Sequence, residues 1–189
     1  AWLVGARGNV ATTAMVGARA IAADETDATG EGTARAPCTR LDLPDVGDVV
    51  FGGHDVAERS VLSTARSLSE SGTPSPETVE AVADDLAAID DRIRTGTAVN
   101  CGRAVESAAD ETLPDGSLSA VVDQIRDDYR TFADDHDLDR VVVVNVSSTE
   151  PPVEDPERYD TREAFERAVE EDDVDLPASA LYAYAALVD

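Results

Sequence analysis

Three short apolar runs, each followed at once by a loop of small or polar residues, constrain the fold of this chain most. The runs are "AWLV", "VGDVVFG" and "RVVVVNV", and they lead into "GARGN", "GGHD" and "NVSSTEP". Helix-like patterns separate the runs. Strands that alternate with helices pair in parallel through right-handed crossovers. The sequence therefore predicts an α/β fold, an open parallel sheet with helices on both faces.

The periodicity also predicts where the elements lie. Strands are expected at Ala1–Val4, Val46–Gly52, Thr97–Cys101 and Arg140–Val146. Helices are expected at 9–23, 56–70, 76–94, 117–136 and 161–171, with a last one from Pro177. In the first helix, the expected buried face is Val10, Ala14, Gly17, Ala18 and Ile21. The continuous β-branched run of the last strand favours a central position, covered on both faces.

The charge balance limits the partners of the protein. The 189 residues carry a formal net charge of -25, and all 15 basic residues are Arg. Because hydrophobic residues still make up 42%, we expect a folded chain with a hydrated acidic surface rather than a disordered one. The composition resembles that of proteins from extreme halophiles. Such a surface repels phosphate backbones, so no nucleic-acid partner is expected.

Cysteine usage and hydropathy bear on the compartment. Cys38 and Cys101 fit neither a disulfide framework nor a metal-ligand spacing, so no metal site is predicted. No apolar run approaches the ~18–20 residues that cross a bilayer, so no membrane association is predicted. We expect a cytoplasmic protein. Because the chain starts without Met inside a strand and stops inside an apolar run, it is expected to be part of a longer protein.

The first loop has the spacing of a phosphate-binding turn. Gly5, Gly8 and Ala11 give G-x-x-G-x-x-A before a helix, whose free N–H groups would face a pyrophosphate. The usual Rossmann dinucleotide fingerprint is G-x-G-x-x-G/A, and Arg7 stands where one spacing would put glycine. A tight strand-to-helix turn without a ligand is the alternative interpretation.

The other two loops offer further candidates. Asp55 could accept hydrogen bonds from a ribose, or it could cap a helix that starts at Val56. His54 could be an acid, a base or a metal ligand, although a lone His is more often structural. Ser147, Ser148 and Thr149 offer hydrogen-bond donors to a ligand, and no G-x-S-x-G elbow marks them as nucleophiles.

Four motifs in order, "VGARGNVATT", "FGGHDV", "NCGRA" and "VVVVNVSSTEPP", resemble the amino-terminal half of an inositol-phosphate synthase of the archaeal type. The resemblance covers nearly the whole chain and implies that residues 1–189 form a Rossmann-like NAD-binding domain. It implies a family that cyclises glucose 6-phosphate to inositol 1-phosphate with tightly held NAD. The implied steps are oxidation, enolisation, intramolecular aldol closure and reduction.

The resemblance also implies the positions that contact NAD. These are Gly5, Ala6, Arg7, Gly8, Asn9, Val10, Asp55, Arg103, Val146, Ser147, Ser148 and Thr149. Family members often have glycine at the position of Arg7 and Trp at that of His54, so contacts there are expected to differ.

The catalytic groups of this family belong to a segment after the point where the chain stops. Its lysines have no counterpart here, because the chain contains no Lys. The resemblance therefore implies that residues 1–189 are inactive alone, that catalytic residues lie beyond residue 189, and that the complete enzyme is a homo-oligomer, a tetramer, which could use a divalent metal. Two alternatives stay open: the cofactor domain of an NAD(P)-dependent dehydrogenase, and a non-catalytic acidic α/β binding module.

Overall fold

Four short parallel strands form one sheet in the computed structural model, which describes residues 1–29, 31–33, 35–113 and 116–188. The strands are β1 (Trp2–Val4), β2 (Gly52–Asp55), β3 (Ile93–Thr95) and β4 (Val143–Asn145). Their order across the sheet is β3-β2-β1-β4. Leu3 lies opposite Gly53 on one side and Val144 on the other. The predicted parallel α/β architecture is confirmed.

Helices connect these strands. They are α1 (Asn9–Ala22), α2 (Val61–Ser69), α3 (Pro76–Ala81), α4 (Ala83–Asp90), α5 (Arg103–Glu106), α6 (Leu118–Asp135), α7 (Arg162–Glu170) and α8 (Ala178–Val188). The side chains of Ser60, Ser75, Ser117 and Thr161 accept a hydrogen bond from the first turn of α2, α3, α6 and α7. Such caps satisfy N–H groups that a helix cannot satisfy itself.

The sheet separates two apolar layers because side chains alternate along β1. Trp2 and Val4 pack with α6, α7 and α8 on one face, which we call the α6 face. Leu3 packs with α1, α2, α3 and α4 on the opposite face, which we call the α1 face. With helices on both faces, all four strands point their carboxyl ends at the same edge.

The position of β2 corrects the sequence prediction. The strand was expected at Val46–Gly52, but Val46–Asp48 form a 3₁₀ turn and the strand starts at Gly52. Gly53 lies so close to β1 that an added Cβ would be 2.2 Å from the Leu3 carbonyl oxygen. The glycines therefore lie inside the strand and permit close packing there, whereas the prediction placed them at the end of the strand.

The predicted central position of the valine-rich strand is wrong in the described part of the chain. β4 is the edge strand, and Val142 and Val144 are 54% and 41% exposed. The helix α8 contacts β4 from the α6 face. Both valines share the face of Leu3, and no helix of the described residues covers β4 there.

Two helices also differ from expectation. The buried residues of α1 are Ala11, Thr12, Met15, Val16, Ala18 and Ala20, whereas Val10 is 63% exposed. Nearly all α1 side chains are apolar or small, so their spacing specifies a direction only weakly. The predicted helix 76–94 is two helices followed by β3, which replaces the strand expected at Thr97–Cys101.

Candidate functional site

A cleft of about 820 Å³ opens at the carboxyl edge of the sheet. Its walls come from the ends of β1 and β2, the loops after β3 and β4, and the first turns of α8. Gly5, Arg7, Gly8, Asn9, Val10, Asp55, Val146, Ser147, Ser148 and Thr149 are the predicted site residues that line it. Ala6 is fully buried and does not line the cleft. Arg103 is exposed and does not line it either, although its neighbour Ala104 does.

The glycine loop, Gly5–Gly8, is held by backbone hydrogen bonds. Gly5 and Ala6 donate to the His54 carbonyl oxygen at 2.9 and 3.1 Å, and Gly8 donates to the Gly5 carbonyl at 3.0 Å. The Arg7 N–H donates to Asp55 Oδ2 at 2.6 Å. All N–H groups of the loop are therefore already bonded, so none of them is free for a ligand.

Gly5 also packs against the loop that follows β4. Its φ of +81° is a conformation that favours glycine, and an added Cβ would lie 2.8 Å from Ser147 Cα. The turn therefore needs glycine for both its conformation and its contact.

The side chain of Arg7 braces the same loop. Its Nε donates to Asp90 Oδ1 at 3.0 Å, and its Nη1 donates to the Ala57 carbonyl oxygen at 3.0 Å. This arginine occupies the position where the fingerprint has glycine, and its charge is neutralised at the end of α4. It positions the loop as well as lining the cleft.

The start of α1 is the opposite case. Its N-cap residue is Gly8, which offers no side chain, and no side chain in the described part of the chain accepts a hydrogen bond there. The first backbone bond back to this cap comes from Thr12 N–H. The N–H groups of Asn9 and Val10 therefore have no hydrogen-bond partner among the described residues. Free N–H groups at the start of a helix, together with the helix dipole, can bind an anion.

Asp55 has a different structural role from the predicted helix cap. Its Oδ2 accepts from Arg7 N–H, and its Oδ1 accepts from Ala57 N–H at 2.9 Å. The following helix starts only at Val61, with Ser60 as its cap. The N-cap interpretation is therefore wrong, and Asp55 instead ties the end of β2 to the glycine loop.

His54 is fully buried between two partners. Trp2 Nε1–H donates to its Nδ1 at 2.9 Å, so the proton sits on Nε2, which donates to Asp128 Oδ2 at 2.9 Å. Burial lowers the pKa of His54 and the Arg94 charge adds to this, whereas Asp128 opposes it. The imidazole is neutral and fixed in one tautomer.

The loop after β4, Val146–Glu150, has an occupied and a free part. Ser147 uses both its N–H and its hydroxyl to bind Asn145 Oδ1, at 3.0 and 2.7 Å. Ser148 and Thr149 line the cleft, and their hydroxyls have no hydrogen-bond partner among the described residues. They are free to bind a ligand.

Sequence reasoning missed several lining residues, including Arg59, Thr97, Cys101, Glu150 and Tyr182. The Cys101 thiol donates to Glu150 Oε1 at 3.2 Å, and burial raises its pKa to about 12, so it is not a nucleophile at neutral pH. Glu150 also accepts from the backbone and hydroxyl of Ser179 at the start of α8. The structure places Thr97 just after β3 and Glu150 in the loop after β4, so position at a strand end is the signal that could have found these two.

Asn100, from the motif "NCGRA", fixes the chain behind the cleft. Its φ is +54°, and its amide donates to the Leu176 carbonyl oxygen at 2.7 Å.

Cys38 and Cys101 are both free thiols. Among the described residues, no group of three or more His, Cys, Asp or Glu could hold a metal ion. No described helix is both long and apolar enough to cross a bilayer.

Comparison with protein families gives a match over most of the chain. An NAD-binding family model described as myo-inositol-1-phosphate synthase matches residues 37–189. The match starts after the glycine loop, so it does not cover that loop, and only the geometry of the loop supports its role. No curated protein matches the chain.

Solved structures of other proteins share the fold. An inositol-3-phosphate synthase from Caenorhabditis elegans has a TM-score of 0.82 at 17% identity, over 99% of this chain and 42% of its own. A myo-inositol-1-phosphate synthase-related protein from Thermotoga maritima has a TM-score of 0.66 at 24% identity, over 99% and 43%. The chain therefore spans less than half the length of either protein.

Proposed function

This chain belongs to the myo-inositol-1-phosphate synthase family, and on that premise we propose that it forms the NAD-binding half of an enzyme that cyclises glucose 6-phosphate to inositol 1-phosphate. The observation that carries the proposal is the uncapped start of α1, which opens into a cleft of about 820 Å³. Pockets of ~300–1,000 Å³ suit a small molecule or cofactor. Anions bind where a helix exposes its first N–H groups.

Different residues of the cleft bind different parts of the dinucleotide. The pyrophosphate is held by the N–H groups of Asn9 and Val10, because those of the glycine loop are occupied. Asp55 lies beside the adenosine ribose, as the acid at the end of β2 does in this type of sheet. The hydroxyls of Ser148 and Thr149 bind the opposite part of the ligand.

A bound NAD would supply a hydride acceptor that is regenerated within the same cycle. The chain's own residues bind and orient the cofactor, and the braced glycine loop fixes the position of α1, whose first N–H groups hold the pyrophosphate. Phosphate binding, enolate stabilisation and proton transfer need cations and an acid or base. The chain has no Lys, Arg7 is paired to Asp90, and Arg59 is the other arginine among the described residues that line the cleft. We assign the acid or base, the cations beyond Arg59, and any metal to the rest of the protein.

The remaining parts of the proposal concern the setting. The acidic surface fits a cytoplasm of high salt, where counterions screen the charge of -25. The complete enzyme is proposed to be a homo-oligomer, a tetramer, that acts in inositol and phospholipid biosynthesis.

Calorimetric titration of NAD in molar potassium chloride tests the cofactor site. Asn9→Pro removes one N–H at the first helical position, where proline is tolerated, while Asn9→Ala removes only the side chain. We expect Asn9→Pro to bind NAD about tenfold more weakly than Asn9→Ala, since a hydrogen bond to a charged group is worth ~1.5 kcal/mol or more. Arg162→Pro, at the same position of α7, should bind normally.

Equal affinity of the two Asn9 variants would contradict the placement of the phosphate at α1, and absence of binding by the folded wild type would remove the proposal. A second assay separates this enzyme from a dehydrogenase. The synthase converts glucose 6-phosphate without accumulating reduced cofactor, whereas a dehydrogenase accumulates it. Residues 1–189 alone should show neither activity, and turnover by them would contradict the proposed division of the site.

A further inference from the structure

The floor of the cleft contains a buried phenol, Tyr182, on α8. The residue is 3% exposed, yet it lines the cleft. Its ring packs beside that of His54, with centroids 5.3 Å apart. Neither the sequence motifs nor the assigned NAD positions include it.

Among the described residues, the hydroxyl of Tyr182 has one hydrogen-bond partner and an unused proton. Its oxygen accepts the Thr97 N–H at 2.9 Å, and Thr97 also lines the cleft. No described residue accepts the phenol proton. A buried hydroxyl normally satisfies both its donor and its acceptor, because leaving one unpaired is unfavourable.

The surroundings make this hydroxyl a fixed donor. Burial raises the pKa of Tyr182, and the charge of Asp55 adds to this, so the phenol keeps its proton. An added Cβ on Gly96 would lie 2.7 Å from the hydroxyl oxygen. Glycine there makes room for the phenol between the ends of β2 and β3.

We propose that the Tyr182 hydroxyl donates a hydrogen bond to an uncharged acceptor on the adenosine half of the bound dinucleotide. This inference rests on the proposed NAD site. The same added Cβ on Gly96 would lie 3.4 Å from the Asp55 backbone, so the hydroxyl is beside the end of β2. That strand end is where this type of sheet places the adenosine ribose.

The chain provides a matched control on the same helix. Tyr184 donates its hydroxyl to Glu166 Oε1 at 2.7 Å and does not line the cleft. Tyr182→Phe and Tyr184→Phe each delete one phenol oxygen and keep the ring. Binding of NAD, AMP and nicotinamide mononucleotide to both variants and the wild type is measured by calorimetry in molar potassium chloride, with circular dichroism to check folding.

We expect Tyr182→Phe to weaken NAD and AMP about tenfold, the loss of one buried hydrogen bond, and to leave the mononucleotide unchanged. Tyr184→Phe should bind all three normally. Unchanged AMP binding by Tyr182→Phe, or equal losses for both mononucleotides, would overturn the inference while NAD binding by the wild type upholds the proposed function. A wild type that binds neither NAD nor AMP overturns both.

A second measurement needs no variant. In proton NMR of the wild type, AMP should protect one tyrosine hydroxyl from exchange with water, and nicotinamide mononucleotide should not. If AMP protects no hydroxyl, the inference is wrong even where Tyr182→Phe fails to fold.

Discussion

The two rims of the cleft differ in how much of their hydrogen-bonding capacity the protein itself uses. On the rim formed by the glycine loop and the end of β2, every N–H from Gly5 to Gly8 is bonded, and Asp55 uses both oxygens. On the rim after β4, the Ser148 and Thr149 hydroxyls have no partner among the described residues. The braced rim holds a fixed shape, and the open rim retains groups that can bind a ligand. Stability and affinity should therefore respond differently to changes on each.

Gly53→Ala should have the largest effect, because it forces the braced rim apart. The new Cβ would lie 2.2 Å from the Leu3 carbonyl oxygen and 2.6 Å from Ala6 Cβ, and neither atom can move alone. We expect the free energy of unfolding to fall by about 3 kcal/mol or more, measured by urea unfolding in molar potassium chloride.

Gly17→Ala provides the control for this substitution. Nothing lies within 4 Å of an added Cβ at Gly17, inside α1. The free energy of unfolding should rise by up to ~1 kcal/mol, because alanine favours a helix over glycine. Equal effects of the two substitutions would show that contact with β1 does not constrain the braced rim.

Asp55→Ala should have the next largest effect and separates the two rims directly. It leaves the N–H groups of Arg7 and Ala57 without their acceptor, which should reduce the free energy of unfolding by about 2 kcal/mol. Ser148→Ala removes an exposed hydroxyl and should change it by less than ~0.5 kcal/mol.

NAD titration of the same two variants completes the test. Ser148→Ala should still weaken binding several-fold, since its hydroxyl is free for the ligand. If Ser148→Ala proved as destabilising as Asp55→Ala, or if it bound NAD normally, the contrast between the rims would be wrong.

The open rim was easier to predict from the sequence than the braced one. Hydroxyl residues after an apolar run at the end of a parallel strand lie where such sheets bind ligands, so the sequence indicated Ser147, Ser148 and Thr149 as residues that line the cleft. The bracing depends on contacts between residues distant in sequence, such as Arg7 with Asp90. No local pattern contains that pair.

Glycine has two structural roles here, at a turn and inside a strand, and the sequence pattern does not distinguish them. Gly5 has a positive φ and lies in the turn that ends β1, a role that pattern analysis detects. At Gly52 and Gly53, glycine lies within the strand because Phe132 and β1 pack against it. The prediction therefore ended β2 where the strand begins. Tyr182 was missed for a similar reason, since an aromatic residue in the run "LYAYAALV" indicates only a core position.

The smallest effect concerns pH and the histidine behind the braced rim. Because burial lowers the pKa of His54 below its ordinary 6.5, the unfolded chain takes up this proton at a higher pH than the folded chain. The contribution of His54 to stability is therefore complete above about pH 6.5 and is lost as the pH falls. Protonation would also place a proton on Nδ1, against the Trp2 N–H that donates to it.

His54→Gln isolates this contribution, because glutamine does not titrate and can still accept from Trp2 and donate to Asp128. Between pH 7.5 and 5.5, the wild type should lose on the order of 1 kcal/mol more of its free energy of unfolding than the variant. Carboxylates titrate in both proteins, so their contribution cancels in the difference between urea curves at constant salt. Parallel pH profiles would mean that His54 is protonated in the folded protein as easily as in the unfolded one, and the braced rim would then tolerate a charge beneath it.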